Sequence, residues 1–233
     1  MNKKITWERK HFDCISSTNE YAKERWLEKK NLIVTATRQT GGKGTKGRSF
    51  SSEKGGVYLT KLTFYEDFVA KEAFKIMQNA AVAVCETLVF FGLKPLIKWP
   101  NDVYVSNKKI CGILIENTFS GTNVSSSLVG IGLNVSNALP QELESIVTSM
   151  FLETGIVQNV DEVCEKLIEE LDKDHKEETY LSYIGYMGRE ANLLIGDKRV
   201  RGRLVCVEND GKLRVETDEG ERLFSAAEIS VRI

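Results

Sequence analysis

Eleven consecutive residues, Arg38-Gln39-Thr40-Gly41-Gly42-Lys43-Gly44-Thr45-Lys46-Gly47-Arg48, hold four cations and four glycines. The glycines let the backbone bend so that its N–H groups and the cationic side chains converge on one anion, which is chemistry suited to a phosphate. The run lacks the G-x-x-x-x-G-K-[ST] spacing of a P-loop, and it joins strand to strand rather than strand to helix. A flexible, solvated loop is the competing reading of this segment taken alone.

A second cluster follows at Lys98-Trp99-Pro100-Asn101-Asp102. Pro100 fixes the backbone, Trp99 offers a flat surface, and Lys98, Asn101 and Asp102 can hold phosphate or magnesium. A purely structural turn accounts for the cluster equally well. Lys109 opens a strand beside Cys111-Gly112, where the glycine permits a ligand to approach the backbone. Taken by itself, a lysine at a strand edge is ordinarily solvated. Other chemistries have little footing: His11 and His175 are the only histidines, neither lies in H-E-x-x-H, and no G-x-S-x-G elbow occurs.

The elements that must position these residues are legible from periodicity and turn chemistry. Ile5 to Ile15 reads as a strand, and Ser17-Thr18-Asn19-Glu20 has the spacing of a capping box that opens a helix to about Lys29. Leu32 to Thr37 and Val57 to Phe64 read as strands flanking the basic loop. Phe74, Met77, Ala81, Val84, Leu88 and Phe91 form a helical stripe over Ala70 to Phe91, expected to pack on a sheet. Leu96 to Trp99, Val103 to Val105, Ile110 to Glu116 and about Ser126 to Val135 read as further strands, with a turn at Ser106-Asn107-Lys108-Lys109. Val160 to Met187 reads as one helix. From about Gly188 the chain turns into short β-rich runs with turns at Gly196-Asp197, Asn209-Asp210-Gly211 and Asp218-Glu219-Gly220, a pattern that suits a small barrel of about five strands. The expected division is 1–187 and 188–233.

Composition bounds the function. Lys+Arg 32 against Asp+Glu 33 leaves a net charge of -1, so the whole-chain balance asks for neither nucleic acid nor an anionic membrane. Trp7, Glu8, Arg9 and Lys10 stand where a secretory apolar stretch would lie, and the apolar runs are expected to fall short of the roughly 18 residues a membrane span requires. The five cysteines, Cys14, Cys85, Cys111, Cys164 and Cys206, are scattered without a C-x-x-C pair, as reduced thiols of a cytoplasmic protein would be.

Taken in order, the Ser17-Thr18-Asn19 turn, the Gln39 to Arg48 loop, Lys98 to Asp102, Lys109 to Gly112 and Gly130-Ile131-Gly132-Leu133-Asn134 resemble the biotin protein ligase family over nearly the whole chain. The resemblance implies an α+β fold, a mixed sheet packed against helices of the class II synthetase type, followed by a small SH3-like barrel. It implies ATP-dependent activation of biotin to biotinyl-5′-AMP and transfer to a lysine of a biotin carboxyl carrier protein, with magnesium entering alongside ATP near Asn101 and Asp102 rather than in a protein cage. By the same resemblance Ser17, Thr18, Asn19 and Gln39 hold the ureido end of biotin and Gly112 lines its rings. Lys43, Gly44 and Thr45 close over the acid's carboxylate and the adenylate phosphate, and Lys109 reaches the same reacting centre. Arg48, Phe50, Lys98, Asn101 and Asn134 would serve the nucleotide, so that Lys43, Lys98 and Lys109 surround one pocket. Larger members carry a DNA-binding domain ahead of the ligase; this chain begins at the ligase segment, so repressor function and DNA binding are not expected, while a homodimer is plausible. A lipoate or octanoate ligase or transferase of the same fold, and a non-catalytic module that senses an adenylate, are the alternatives.

The family loop commonly reads G-R-G-R-x-G-R, whereas here Lys43 and Thr45 replace two arginines. Lysine lacks the bidentate fork and threonine lacks the charge, so the loop grips an acyl-adenylate less firmly. Ala227 also replaces a usual glycine. With ATP, biotin and a bystander protein, this chain should label the bystander more heavily than a Thr45→Arg variant does; equal labelling would contradict the expected leakage.

Overall fold

Leu32-Ile33-Val34 is apolar without alternation, the pattern of a strand buried on both faces. A computed structural model describing residues 7–195, 198–226 and 229–232 shows the cause. Ile33 faces a large core shared with the long helices, whereas Leu32 and Val34 face a smaller cluster with Ala22, Leu62 and Leu128. The sheet that carries them has seven strands in the order β1-β2-β3-β7-β6-β5-β4. These are β1 (Glu8–Phe12), β2 (Leu32–Ala36), β3 (Val57–Val69), β4 (Leu96–Lys98), β5 (Asp102–Val105), β6 (Lys108–Ser120) and β7 (Asn123–Leu133). β1 and β2 run parallel and the remaining pairs antiparallel, so the sheet is mixed.

Helices α2 (Phe74–Phe90), α4 (Val160–Leu171) and α5 (Glu177–Tyr183) contribute to the large core, whereas α1 (Thr18–Glu24) borders the smaller cluster. By length and composition Ala70–Phe90 would qualify to span a membrane, which corrects the expectation that no segment does. Ala81, Val84 and Leu88 of its predicted stripe are fully buried against the protein's own sheet, as in a core helix.

The helix expected over Val160 to Met187 is two helices. Lys61 ends the first: its Nζ donates to the Leu171 carbonyl at 2.8 Å and meets Asp172 Oδ1 at 2.7 Å. The His175 N–H is then taken by Asn79 Oδ1. Tertiary partners thus take both ends of the helical bond that would run from His175 N to Leu171 O, a competition invisible to local periodicity. A short helix, α3 (Met150–Thr154), capped by Ser149, was not foreseen.

A second sheet holds β8 (Glu190–Ile195), β9 (Lys198–Val207), β10 (Leu213–Thr217), β11 (Gly220–Phe224) and β12 (Ile229–Arg232), antiparallel in the order β11-β10-β9-β8-β12. The Gly196-Asp197 turn and Ala227 lie outside the described residues. Leu193, Leu204, Leu213 and Val215 join the core of the first sheet, so the two sheets share one hydrophobic interior. The β9–β10 turn docks by a specific contact: Trp99 Nε1 donates to the Gly211 carbonyl at 3.1 Å.

Gly211 has φ +84, and a Cβ there would collide with the Phe74 ring. Gly211→Ala therefore combines left-handed backbone strain with overpacking. Denaturant unfolding should show a loss of about 2–4 kcal/mol, and an unchanged midpoint would show that the turn is not held as described.

Candidate active site

The face of a sheet accepts a ligand only where side chains are short. In β7, Gly130 and Gly132 point to the same face, and Gly112 of β6 is paired with Gly132. Asn19 and Phe50 cover this glycine floor. A Cβ on Gly130 would overlap the Asn19 amide, and one on Gly132 would lie 2.5 Å from the Phe50 ring. The sequence G-I-G is thus explained by what lies over it.

Around the floor runs a narrow cleft lined by Ser17, Thr18, Asn19, Gln39, Lys43, Gly44, Thr45, Phe50, Asn101, Asp102, Lys109 and Gly112, with Leu114 as the apolar residue on the glycine face, while Leu59, Ile113 and Ile131 border it from the strands and turn their side chains into the large core. Its polar end is tightly wired. Gln39 Oε1 accepts from Thr18 N at 2.8 Å and from Thr18 Oγ1 at 3.0 Å, while Gln39 Nε2 donates to Ser52 Oγ at 2.9 Å. Thr60 Oγ1 lies 2.5 Å from Asn19 Oδ1 and 2.8 Å from Thr18 Oγ1.

The basic loop is folded, not loose. Gly44 N donates to Arg48 O and Phe50 N donates to Gly42 O, closing a hairpin around the turn Thr45–Gly47. Lys43 Nζ reaches Glu20 Oε1 at 2.9 Å, with Lys23 on the same carboxylate oxygen at 3.3 Å. These ammonium groups, Lys43 foremost, hold the Glu20 carboxyl below its usual range. The predicted capping box is therefore half formed: Ser17 Oγ accepts from Glu20 N at 3.5 Å, but the Glu20 carboxylate turns to the loop. Lys109 Nζ is 2.6 Å from Asp102 Oδ1.

A second cavity of about 550 Å³ adjoins the first, lined by Arg48, Ser49, Ser51, Asn134 and the apolar residues Leu139, Pro140, Leu143, Ile146 and Val147. Gly44, Thr45, Phe50 and Lys109 line both cavities. Cys111 also lines the second one, but burial pushes its thiol well up, so it stays protonated and is no nucleophile.

Most of the predicted site residues gather here, with three qualifications. Lys98 lines neither cavity; its ammonium stands 5.1 Å over the Tyr104 ring. It pairs in register with Asp102, one strand further from the floor, so two of the three expected lysines share the cleft, not three. Asn101 lies in the first cleft rather than beside the larger cavity, its Nδ2 donating to Ile113 O at 2.8 Å. Asn134 is 4% exposed and donates to Thr148 O, while its Oδ1 accepts from Asn137, a bonding pattern that braces the cavity wall. Sequence reasoning missed Thr60, Ser52, the counter-ion Glu20 and the whole 139–147 wall. Only Glu20 carried a local signal, and it was read as a helix cap. Among the described residues no cluster of three or more His, Cys, Asp or Glu could cage a metal.

Residues 11–134 match the family described as biotin/lipoate A/B protein ligase, and residues 186–232 match the biotin protein ligase C-terminal domain. The chain is 29% identical to the bifunctional ligase/repressor BirA of Bacillus spizizenii, covering 94% of this chain and 72% of the relative. The same protein of Escherichia coli is also 29% identical, at 94% and 72%. Among solved structures, the biotin protein ligase of Aquifex aeolicus in complex with biotin and ATP superposes with TM-score 0.76 at 27% identity, over 97% of this chain and 98% of that one.

Gln39→Ala would strand the buried Thr18 N–H, at a cost of about 1–3 kcal/mol in urea unfolding. Gln39→Glu keeps the acceptor and should lose less; equal losses would mean that the Thr18 bond contributes nothing.

Proposed function

The chain belongs to the biotin/lipoate A/B protein ligase family, and we propose that it activates biotin with ATP to biotinyl-5′-AMP and transfers the acyl group to a lysine of a biotin carboxyl carrier protein. The observation that carries this reading is that a polar-ended cleft and a larger apolar-walled cavity meet at Lys109, with Gly44, Thr45 and Phe50 common to both. An acid in one and a nucleotide in the other would bring carboxylate and α-phosphate together at one ammonium group.

In this reading Ser17, Thr18, Asn19 and Gln39 present the hydrogen-bonding end of the first cleft to the ureido group. Leu114 bounds the ring system from the glycine face, and Gly112 lets it approach the strand. The Phe50 ring lies over Gly132, where it occupies the floor that the ring system would use, and in this reading it moves aside as the acid enters. The nucleotide base lies on Leu139, Leu143, Ile146 and Val147, with Arg48 at the phosphates.

A carboxylate oxygen attacks the α-phosphorus, the bond to the leaving pyrophosphate breaks, and Lys109 and Lys43 offset the convergence of two anions. Each lysine is first neutralised by a carboxylate, Asp102 and Glu20, which the incoming anion displaces. In the second half-reaction the carrier amine attacks the acyl carbon and AMP leaves. Asp102 is the one carboxylate lining the cleft, and so the nearest base for the amine's proton. The glycine loop shields the mixed anhydride from water meanwhile.

Asp102 and the Asn101 amide oxygen form a donor set that suits magnesium carried in on a triphosphate, since that ion is ordinarily held by one or two carboxylates and substrate oxygens. When bound it would supply charge neutralisation at the phosphates. The unpaired cysteines fit a reducing, cytoplasmic setting.

Pyrophosphate exchange into ATP should depend on biotin, and Lys109→Ala should lower its rate about 10²–10³-fold. Exchange supported by lipoate but not biotin would move the chain to the other branch of the family, and exchange with neither acid would end the enzymatic reading.

A further inference from the structure

Ser106 and Asn107 form the two-residue turn between β5 and β6, and both have positive φ, 49 and 65. Asn tolerates that region; serine does so only at a cost, and such a residue persists where its surroundings hold it. Here the holder is Glu153. Its Oε2 accepts from Ser106 Oγ at 2.7 Å and its Oε1 accepts from Thr148 Oγ1 at 2.6 Å. One carboxylate thus ties the hairpin turn to the segment that precedes α3.

The tie is reinforced along its length. Lys109 N donates to Ile146 O and Thr148 N donates to Lys109 O, both at 2.9 Å, a parallel bridge between the start of β6 and the 139–147 wall. Lys108 Nζ donates to Glu144 O at 2.8 Å, and Asn134 Nδ2 donates to Thr148 O at 3.1 Å. Lys109, one of the residues common to both cavities, and Ile146 and Val147 of the larger cavity's wall therefore share one hydrogen-bonded frame.

We propose that Glu153 is a positioning residue that clamps the Ser106 turn and Thr148 together, so that Lys109 and the apolar wall of the nucleotide cavity are set as a single unit. The inference rests on the ligase reading for its kinetic consequence, but not for its structural one. Glu153 lines neither cavity, and its carboxylate acts only through the groups it holds. Loss of the clamp loosens the wall and Lys109 together and leaves the Ser17–Asn19 end, tied through Gln39 and Thr60, as it was.

The test uses the full chain with Glu153→Ala, Glu153→Gln and Ser106→Gly. In Glu153→Ala, amide exchange at Lys109 and Thr148 should quicken at least about tenfold while the β3 and β7 amides keep their protection. KM for ATP in biotin-dependent exchange should rise about three- to tenfold, with biotin affinity measured without ATP unchanged within about twofold. Glu153→Gln retains an acceptor and should recover most of the ATP effect. Ser106→Gly removes the hydroxyl but relieves the turn, so KM for ATP should rise without loss of thermal stability. Uniform deprotection of the sheet, equal weakening of biotin and ATP, or unchanged exchange at Lys109 would each overturn the proposal. If the wild-type chain shows no pyrophosphate exchange, the ligase reading fails, and the amide-exchange pattern still decides the clamp.

Discussion

A ligand can approach the backbone of a sheet closely only where the strands carry no side chains, and that constraint organises this molecule. Gly112, Gly130 and Gly132 clear one patch of β6 and β7, and every other part of the site is placed relative to it. Asn19 arrives from the start of α1, Phe50 from the basic loop, and Asp102 and Lys109 from the β5–β6 hairpin. A side chain at Gly130 or Gly132 would displace Asn19 or Phe50 before any ligand was considered. Antiparallel register between β6 and β7 is what aligns Gly112 with Gly132, since a slip of one residue would send the glycines to the helix-covered face.

The second organising feature is electrostatic. Cations gathered for an anionic substrate repel one another while the site is empty, and this fold answers with carboxylates from neighbouring elements. Glu20 meets Lys43 across the mouth of the cleft and Asp102 meets Lys109 across the hairpin. Both pairs are partly exposed, where ion pairs are worth only about 0–1 kcal/mol, so they order the lysines without holding them against a substrate phosphate. Lys61, by contrast, is nearly buried and serves the fold: it ends α4 and lies over the Trp7 ring.

Packing ties the site to the second sheet. The Trp99 ring is buried in the shared core, bonds to the β9–β10 turn, and precedes Asn101 and Asp102 by only a few residues. The Trp99 N–H is taken by Tyr186 Oη, and Tyr180 Oη donates to the Pro100 carbonyl. The turn that delivers Asp102 is therefore held from the helical layer and from the C-terminal sheet at once.

Local chemistry in the sequence determined much of this protein. The glycine-rich basic loop, the K-W-P-N-D turn, the G-I-G-L-N strand and the change to short β runs after residue 187 are signals written in neighbouring residues, and they sufficed for the family, the fold and most of the cleft. The tertiary structure alone decided what depends on residues far apart in the chain. It split the 160–187 helix, because Lys61 and Asn79 competed for its backbone groups. It set Lys98 over Tyr104 and out of the cleft, because the strand register fixed its distance from the floor. It also supplied the 139–147 wall, whose contribution comes from apolar side chains folded beside Lys109 and not from any motif a linear reading could detect.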